Sequence, residues 1–171
     1  MTKNRTENLL LFALSGIALW FYGNLYEGIV IAPNLLNDPI QKVQLWQNFF
    51  VTTNPVMYYI PVSPLAIVII VILYFKTSRD QIILKKHLQR ASIFGLLALG
   101  LGIYIITQIN FKLFFGDIQK NSKDLYKLSV LWNVLNLIRT ALLIPSMLYT
   151  FKACIWTKQN GLNKLNNKDW H

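Results

Sequence analysis

The stretch Ser129–Leu148, "SVLWNVLNLIRTALLIPSML", decides the fold of this chain. A helix needs about 20 mostly apolar residues to cross roughly 30 Å of hydrocarbon, and this stretch meets that length although Arg139 lies in its middle. An ionisable side chain at bilayer depth costs several kcal/mol unless it faces other helices and finds a partner there. The stretch therefore predicts a membrane span whose arginine meets polar groups on neighbouring spans.

Three further stretches are long and apolar enough to cross a bilayer. With the arginine-bearing run they predict spans at residues 9–32, 56–75, 91–110 and 128–151. The composition agrees, because 54% of the residues are hydrophobic and only 14% are charged. Backbone groups in lipid must be satisfied within their own segment, and the alternation of a barrel strand is absent. The prediction is an all-α fold, an integral membrane four-helix bundle in which residues 1–171 form a single domain.

The basic residues predict the orientation of the bundle. Of the 17 Lys and Arg residues, 11 lie before span one, between spans two and three, or after span four, and five lie in the other two loops. This positive-inside bias predicts that both termini are cytoplasmic, in a bacterial cytoplasmic membrane. The apolar run near the N-terminus is too long for a signal peptide, so an uncleaved first span is expected. The eleven are Lys3, Arg5, Lys76, Arg79, Lys85, Lys86, Arg90, Lys152, Lys158, Lys164 and Lys168.

The net charge of +10 points to membrane lipid as a partner and not to nucleic acid. Basic residues beside membrane spans attract anionic lipid, whereas no aromatic-interleaved basic motif is present. Cys154 is the single cysteine, which excludes a disulfide framework, and His87 and His171 do not form a convincing metal or haem site. No metal and no cofactor are predicted. The sequence leaves oligomer formation open.

Polar residues within the spans gather toward the end opposite the termini. On span one, Gly16, Trp20, Asn24 and Glu27 follow a spacing of 4, 4 and 3 residues and share a helix face. On span four, Trp132, Asn136 and Arg139 share a face, with Asn133 beside it. Span three adds Thr107, Gln108 and Asn110, and Asn54 and Pro55 open span two. All four spans are expected to contribute to one polar layer.

Glu27 is the only carboxylate within the predicted spans and the evident candidate partner of Arg139. Its height exceeds that of Arg139 by roughly 9 Å along the helix axis, so the link is expected directly or through Asn24 or Asn136. Three interpretations stay open: a buried pair that fixes helix register, a ligand-binding pair, or a proton-transfer pair. The candidate catalytic residues are Glu27 and Arg139. The candidate substrate-binding residues are Asn24, Gln108, Asn110, Trp132, Asn133 and Asn136.

Four sequence features predict the surroundings of this layer. Gly95, Gly100 and Gly102 are expected to allow close helix approach on span three. The loop that contains Val43, Trp46, Phe49 and Phe50 is amphipathic and predicts a short interfacial helix that forms a lid, and Pro61 and Pro64 should interrupt span two. Aromatic residues at this end form an interfacial belt or a ligand wall: Trp20, Tyr22, Tyr26, Trp46, Phe49, Phe50, Tyr58, Tyr59 and Tyr104.

Two motifs resemble those of the four-span anthrone-oxygenase-like membrane proteins. "TQINFKLF" carries Asn110 and Leu113 of a P-x-N-x-x-L-like element, and "LWNVLNLIRTALLIPSML" carries Trp132, Asn136 and Arg139 of a W-x-x-x-[H/N]-x-x-R element. "APNLL" after span one is similar to the family's first helix exit. The resemblance implies cofactor-free oxidation of flat lipophilic anthrones in some members and no assigned activity in most bacterial members. Asn136 stands where one version of the motif has histidine, which leaves Glu27 as the only candidate base.

Two functions are compatible with these residues. One is a pocket that binds, and in the oxidoreductase version oxidises, a flat lipophilic small molecule. The other is a non-catalytic membrane protein, an assembly partner or transport-associated subunit, whose polar layer fixes helix packing. The first predicts a cavity that reaches Arg139, and the second predicts that protein groups fill all donors of Arg139 with no void.

Overall fold

The computed structural model describes residues 3–118 and 123–166, and every regular element in these ranges is helical. Lys120, Lys168 and His171 lie outside the described residues, as does the side chain of Lys164. Four long helical stretches are apolar enough to cross a membrane: Asn4–Leu36, Pro55–Lys76, Ile82–Leu113 and Leu125–Asn160. The predicted all-α class with four helices of spanning length is confirmed.

Each long stretch is assembled from one or more helical elements. The first comprises α1 (Lys3–Tyr26), a π-helical segment π1 (Glu27–Ile31) and α2 (Ala32–Leu36). The second comprises α4 (Pro55–Tyr59) and α5 (Val62–Lys76), and the third comprises α6 (Ile82–Tyr104), π2 (Ile105–Asn110) and α7 (Phe111–Leu113). A separate helix α3 (Pro39–Phe49) lies between the first two, and α8 (Leu125–Asn166) ends the described chain. Helix α1 packs on α5 and α8, and α6 packs on the same two helices.

The observed helices extend beyond the predicted spans. Helix α6 begins at Ile82 although the third predicted span begins at residue 91, and α8 continues to Asn166 although the fourth predicted span ends at residue 151. Apolar composition marks only the part of a helix that can lie in hydrocarbon. Hydrogen bonding along the backbone continues into charged turns such as Lys85–Arg90, so these helix ends could not be located from hydropathy.

The predicted helix between the first two spans is present as α3. Asp38 caps it by accepting a hydrogen bond from the backbone N–H of Gln41 at 3.3 Å, and Pro39 occupies its first turn. Val43 is fully buried, whereas Phe49 is exposed. The predicted interruption of span two is also present, because α4 ends before a cis Ile60–Pro61 peptide bond and α5 begins after it.

Two of the three glycines of span three lie where helices approach closely. A Cβ at Gly95 would lie 2.7 Å from Ile67 Cδ1, and one at Gly102 would lie 3.3 Å from the Trp20 ring. The expectation was wrong for Gly100, because a Cβ there would meet nothing within 4 Å. Gly100 points away from the helix interface, so its small size serves no contact among the described residues.

Two apolar clusters fill the bundle at different levels. The cluster nearer the termini includes Leu10, Ile17, Ile67 and Leu143. The cluster nearer the opposite end, called here the Glu27 end, is formed by Ala32, Leu35, Val43, Ile105, Ile109, Leu113, Phe114, Leu125 and Trp132. The polar side chains of interest lie between these clusters, where four helices meet.

Candidate functional site

Arg139 is the centre of a polar network that joins α1, π1 and α8. Its side chain is buried, with 5% of the residue exposed. The Nη2 group donates a hydrogen bond to Oδ1 of Asn24 and lies 3.8 Å from Oε2 of Glu27. The sequence left a direct link and an amide-mediated link open, and the structure contains both a direct ion pair and an Asn24 contact to the same nitrogen. The long arginine side chain spans the predicted height difference.

Tyr59 extends the network to α4. Its hydroxyl donates to Oε1 of Glu27 at 2.8 Å, so the two carboxylate oxygens of Glu27 face a phenol and a guanidinium. Gly23 makes room for this ring, because a Cβ at position 23 would lie 2.7 Å from Tyr59 Cε1 and 2.8 Å from its hydroxyl. The sequence placed Tyr59 among nine aromatic residues and gave no signal for this role.

The aliphatic and planar parts of Arg139 are held by two neighbours. The guanidinium carbon lies 5.7 Å from the ring centroid of Trp20, within the range of a cation–π contact. A Cβ at Gly102 would lie 3.6 Å from Nη1, which shows how closely the guanidinium approaches the α6 backbone. Trp20 and Gly102 thus surround a guanidinium that Glu27 neutralises and Asn24 hydrogen-bonds.

A cavity of about 130 Å³ adjoins this network. Glu27, Arg139, Tyr59, Asn110 and Trp132 all contribute to its wall. An engineered apolar cavity of about 150 Å³ is known to bind benzene, so the volume suits one aromatic ring. The remaining wall is mainly apolar and includes Trp20, Trp46, Val56, Ile60, Leu99, Ile103, Ile105, Ile106, Phe114 and Phe115.

The side of the cavity between α4 and α6 is lined by residues that also reach the outer surface of the bundle. Ile60 is 51% exposed and Ile103 is 56% exposed, although both line the cavity. On the other side Trp46 of α3 stacks on Phe114, with ring centroids 5.0 Å apart, and both rings line the cavity. The exposed apolar edge therefore lies on the flank of the bundle, while α3 covers the Glu27 end.

Several buried polar atoms near the cavity lack a hydrogen-bond partner within the described part of the chain. They include Nε of Arg139, Oδ1 of Asn110 and Oγ of Ser63, and all three residues line the cavity. Both amide atoms of Asn136 and Nδ2 of Asn24 are also without a partner there. Buried polar groups are rarely left unpaired in proteins, so these atoms mark a place that water or a ligand would satisfy.

The structure brings some predicted site residues together and leaves others apart. Glu27, Arg139, Asn110 and Trp132 line the cavity, and Asn24 and Asn136 are buried beside it on α1 and α8. Gln108 is exposed, with its amide 3.5 Å from the hydroxyl of Thr107. Asn133 donates to the Ser129 carbonyl of its own helix at 3.0 Å. Neither Gln108 nor Asn133 belongs to the cavity wall.

The aromatic residues also divide. Trp20, Trp46 and Tyr59 line the cavity, whereas Tyr22, Tyr26, Phe49, Tyr58 and Tyr104 are largely exposed, as belt residues would be.

As for metals, no group of three or more His, Cys, Asp or Glu side chains is found in residues 3–118 and 123–166. The polar side chains in the cavity wall include one carboxylate, one guanidinium, one phenol, one serine hydroxyl and two amides, those of Asn54 and Asn110.

Comparison with known proteins finds no matching family model, no similar curated protein and no similar solved structure. The resemblance to the anthrone-oxygenase-like proteins stays a prediction, and the geometry of the cavity is the basis of the functional proposal.

Proposed function

We propose that this chain is an integral membrane protein that binds a flat lipophilic small molecule in the cavity beside Arg139. Its termini lie on the cytoplasmic side of a bacterial cytoplasmic membrane, so the cavity lies in the outer half of the bilayer. The observation that carries the proposal is the cavity itself, which reaches a buried arginine whose Nε has no partner among the described residues. A purely structural arginine would have its donors filled by protein with no void beside it.

The shape and chemistry of the wall define the ligand. A volume of about 130 Å³ with mostly apolar lining suits one aromatic ring of a larger molecule. Arg139 Nε can donate to an acceptor on that ring, and the free carbonyl oxygen of Asn110 can accept from a hydroxyl. A ring that carries both an oxygen acceptor and a hydroxyl, such as a hydroxylated polycyclic ketone, satisfies both groups.

The ligand enters from the bilayer. Ile60 and Ile103 form an exposed apolar edge at the cavity between α4 and α6, where lipid would surround the bundle. A lipophilic molecule dissolved in the membrane reaches this edge without crossing water. Trp46 and Phe114 cover the Glu27 end and separate the ring from the aqueous side.

The resemblance to anthrone-oxygenase-like proteins extends the proposal to oxidation. Glu27 would accept a proton from an enolisable ligand, and Arg139 would stabilise the resulting anion before it reacts with molecular oxygen. Tyr59 and Arg139 already contact the two oxygens of Glu27, so they would orient the carboxylate for this step. Turnover of anthrone in air, compared between wild type and Glu27→Gln, tests this extension separately from binding.

Native mass spectrometry of the protein purified in mild detergent tests binding. We expect a co-purifying lipophilic molecule in the wild type and its loss in Arg139→Leu, with both proteins folded by thermal melting. Glu27→Gln, which retains the shape of the side chain, serves as the second variant. If both variants fold and retain every ligand that the wild type binds, the pocket proposal fails.

A packing role is the second candidate, and the network favours it in one respect. Asn24, Glu27, Tyr59 and Arg139 connect three helical stretches through side-chain contacts, which would fix their register. In this case the chain would be an assembly or transport-associated subunit. An empty wild type together with an unfolded Arg139→Leu variant would favour this role over binding.

A further inference from the structure

A second polar feature lies at the termini end of the bundle, far from the cavity along α6 and α8. Two cations, Arg90 of α6 and Lys152 of α8, lie against one aromatic ring, that of Tyr149. The Arg90 guanidinium carbon is 5.3 Å from the ring centroid and Lys152 Nζ is 5.5 Å from it. Arg90 Nη1 also donates to the Tyr149 hydroxyl at 3.4 Å. One ring thus gathers two positive charges from different helices.

Within the described part of the chain, no carboxylate neutralises these two charges. No carboxylate lies within ion-pair distance of Arg90 or Lys152 among the described side chains, and both cations are exposed. Cation–π contacts hold a cation in place without cancelling its charge. Two cations held against the same ring repel each other, and one anion that contacts both would offset that repulsion. The arrangement favours an anionic ligand.

The Tyr149 ring is held in place by packing between α6 and α8. The His87 ring lies 6.1 Å from the Tyr149 ring at an interplanar angle of 27°, and the Phe94 ring lies 6.5 Å from it at 10°. One turn further into the bundle, Ser146 of α8 donates to the Ala91 carbonyl of α6 at 3.0 Å. The ring and its two cations are therefore fixed by contacts between the same pair of helices.

The position of the site along the helices selects the kind of anion. Arg90 directly precedes the apolar run that begins at Ala91, and Lys152 follows the apolar run of α8. Ile93 and Leu148, which are exposed and apolar, lie within these runs. Cations at the edge of such a run lie at headgroup level, and the exposed apolar residues beside them face acyl chains.

We propose that Arg90, Lys152 and Tyr149 form a binding site for the phosphate of an anionic phospholipid. The guanidinium and the ammonium donate to the phosphate oxygens, and the Tyr149 hydroxyl, which accepts from Arg90, donates its own proton to a third oxygen. Ile93 and Leu148 pack against the acyl chains. This site requires that the helices cross a membrane, but it is independent of any ligand in the Arg139 cavity.

The test compares two double variants that remove the same charge. Arg90→Gln with Lys152→Gln removes the site, whereas Lys86→Gln with Lys158→Gln removes two exposed cations of the same helices that have no ring contact in the described structure. Delipidated protein in detergent is titrated with phosphatidylglycerol and followed by native mass spectrometry. We expect the first variant to bind this lipid about tenfold more weakly than the second, because only it loses charge-assisted hydrogen bonds.

Equal weakening in both variants would overturn the proposal, since general charge attraction would then explain the binding. Equal affinity of the wild type for phosphatidylcholine would overturn it as well, because that lipid has no net charge. Displacement of phosphatidylglycerol by an equimolar amount of inorganic phosphate would assign the site to free phosphate instead of lipid. Tyr149→Phe keeps the ring and loses the hydroxyl, so it should bind the lipid more weakly than the wild type but more tightly than Tyr149→Leu. Equal affinities of the two variants would contradict the role of the ring.

Discussion

Asn24 and Asn136 are both buried asparagines beside Arg139, yet they differ in bonding. Asn24 accepts from Arg139, whereas neither amide atom of Asn136 has a partner in the described structure. Asn24→Leu should therefore lower the free energy of unfolding by about 1–3 kcal/mol, because it removes an acceptor from a buried guanidinium. Asn136→Leu should leave stability unchanged or raise it, because it removes a desolvated amide without breaking a bond. Denaturation of both variants in detergent measures the difference.

A ligand assay tests whether Asn136 contacts the ligand or has a structural role. If its amide contacts the ligand, Asn136→Leu reduces ligand retention in native mass spectrometry while the protein stays as stable as the wild type. A loss of stability in Asn136→Leu equal to that in Asn24→Leu would show that Asn136 has a structural partner after all.

Gly23 controls the position of Tyr59 and so the hydrogen bond to Glu27. A Cβ at position 23 would lie within 2.8 Å of two atoms of the Tyr59 side chain, so Gly23→Ala should displace the ring from Glu27 and lower the free energy of unfolding by about 1.5–3 kcal/mol, the cost of one hydrogen bond to a charged group. Ligand retention should fall as well, because Tyr59 lines the cavity. Gly100→Ala is the matched control, since a Cβ there meets nothing and alanine is the better helix former. We expect Gly100→Ala to retain the ligand and to melt at the same or a higher temperature. Unchanged retention in Gly23→Ala would exclude Tyr59 from the site.

For single residues, the sequence correctly predicted burial where polar and aromatic side chains share one face of a helix. Trp20, Asn24 and Glu27 on one helix, and Asn136 and Arg139 on another, are buried as their spacing indicated. Tyr59 could not be found in the same way, because its position depends on the space at Gly23. This is a contact between distant parts of the chain, which spacing within one helix does not encode.

Among the elements, α3 offers the clearest test of one buried side chain, that of Val43. Val43 is fully buried in the cluster at the Glu27 end, and Gln47 Nε2 donates to the Gly116 carbonyl at 3.1 Å. Val43→Ala should weaken the docking of α3 by about 1–2 kcal/mol, the cost of removing two buried methyl groups. Hydrogen exchange of the α3 amides should rise about tenfold as a result.

Leu45→Ala is the control for this change, because Leu45 lies on the same helix and is exposed. Exchange of the α3 amides should stay at the wild-type rate in this variant. Equal acceleration in both variants would mean that the burial of Val43 is not what holds α3 in place.

The predictions for span three show why element geometry matters. Thr107, Gln108 and Asn110 were grouped by their height in the bundle, but only Asn110 is buried and lines the cavity. Height does not determine which way a side chain faces. The π-helical segment Ile105–Asn110 changes the angular position of the residues that follow Tyr104, and the sequence contains no signal that locates such a segment.

For the molecule as a whole, the orientation of the bundle in the membrane can be tested by cysteine labelling. In a Cys154→Ala background, Asn37→Cys at the Glu27 end and Ser78→Cys at the termini end both place the thiol at an exposed position. We expect a membrane-impermeant maleimide added to intact cells to label Asn37→Cys and to leave Ser78→Cys unlabelled until the cells are opened. The reverse pattern would place the cavity in the inner half of the bilayer.

The whole-molecule prediction succeeded where it rested on composition. Four apolar runs of spanning length are visible in the sequence, and the four long helices contain them. The cavity was foreseen only as a condition of the binding hypothesis, since its walls come from α1, π1, α3, α4, α5, α6, π2 and α8 and depend on how these elements pack. The same limit applies to Tyr149, whose two cations come from helices that the sequence could not pair.

The two π-helical segments make the cavity sensitive to residue number. A π-helical turn closes its hydrogen bonds over one more residue than an α-helical turn, so each segment stores one surplus residue. Deletion of Gly28 would remove the surplus residue of the first segment, so the helix would close as an ordinary α-helix and the residues after it would keep nearly the same angular position. Leu35 would then stay buried in the cluster at the Glu27 end, whereas deletion of a second residue would rotate it by about 100° about the axis. The alignment of this end of the bundle therefore tolerates the loss of one residue and not of two, a constraint that substitution experiments cannot reveal and deletions can.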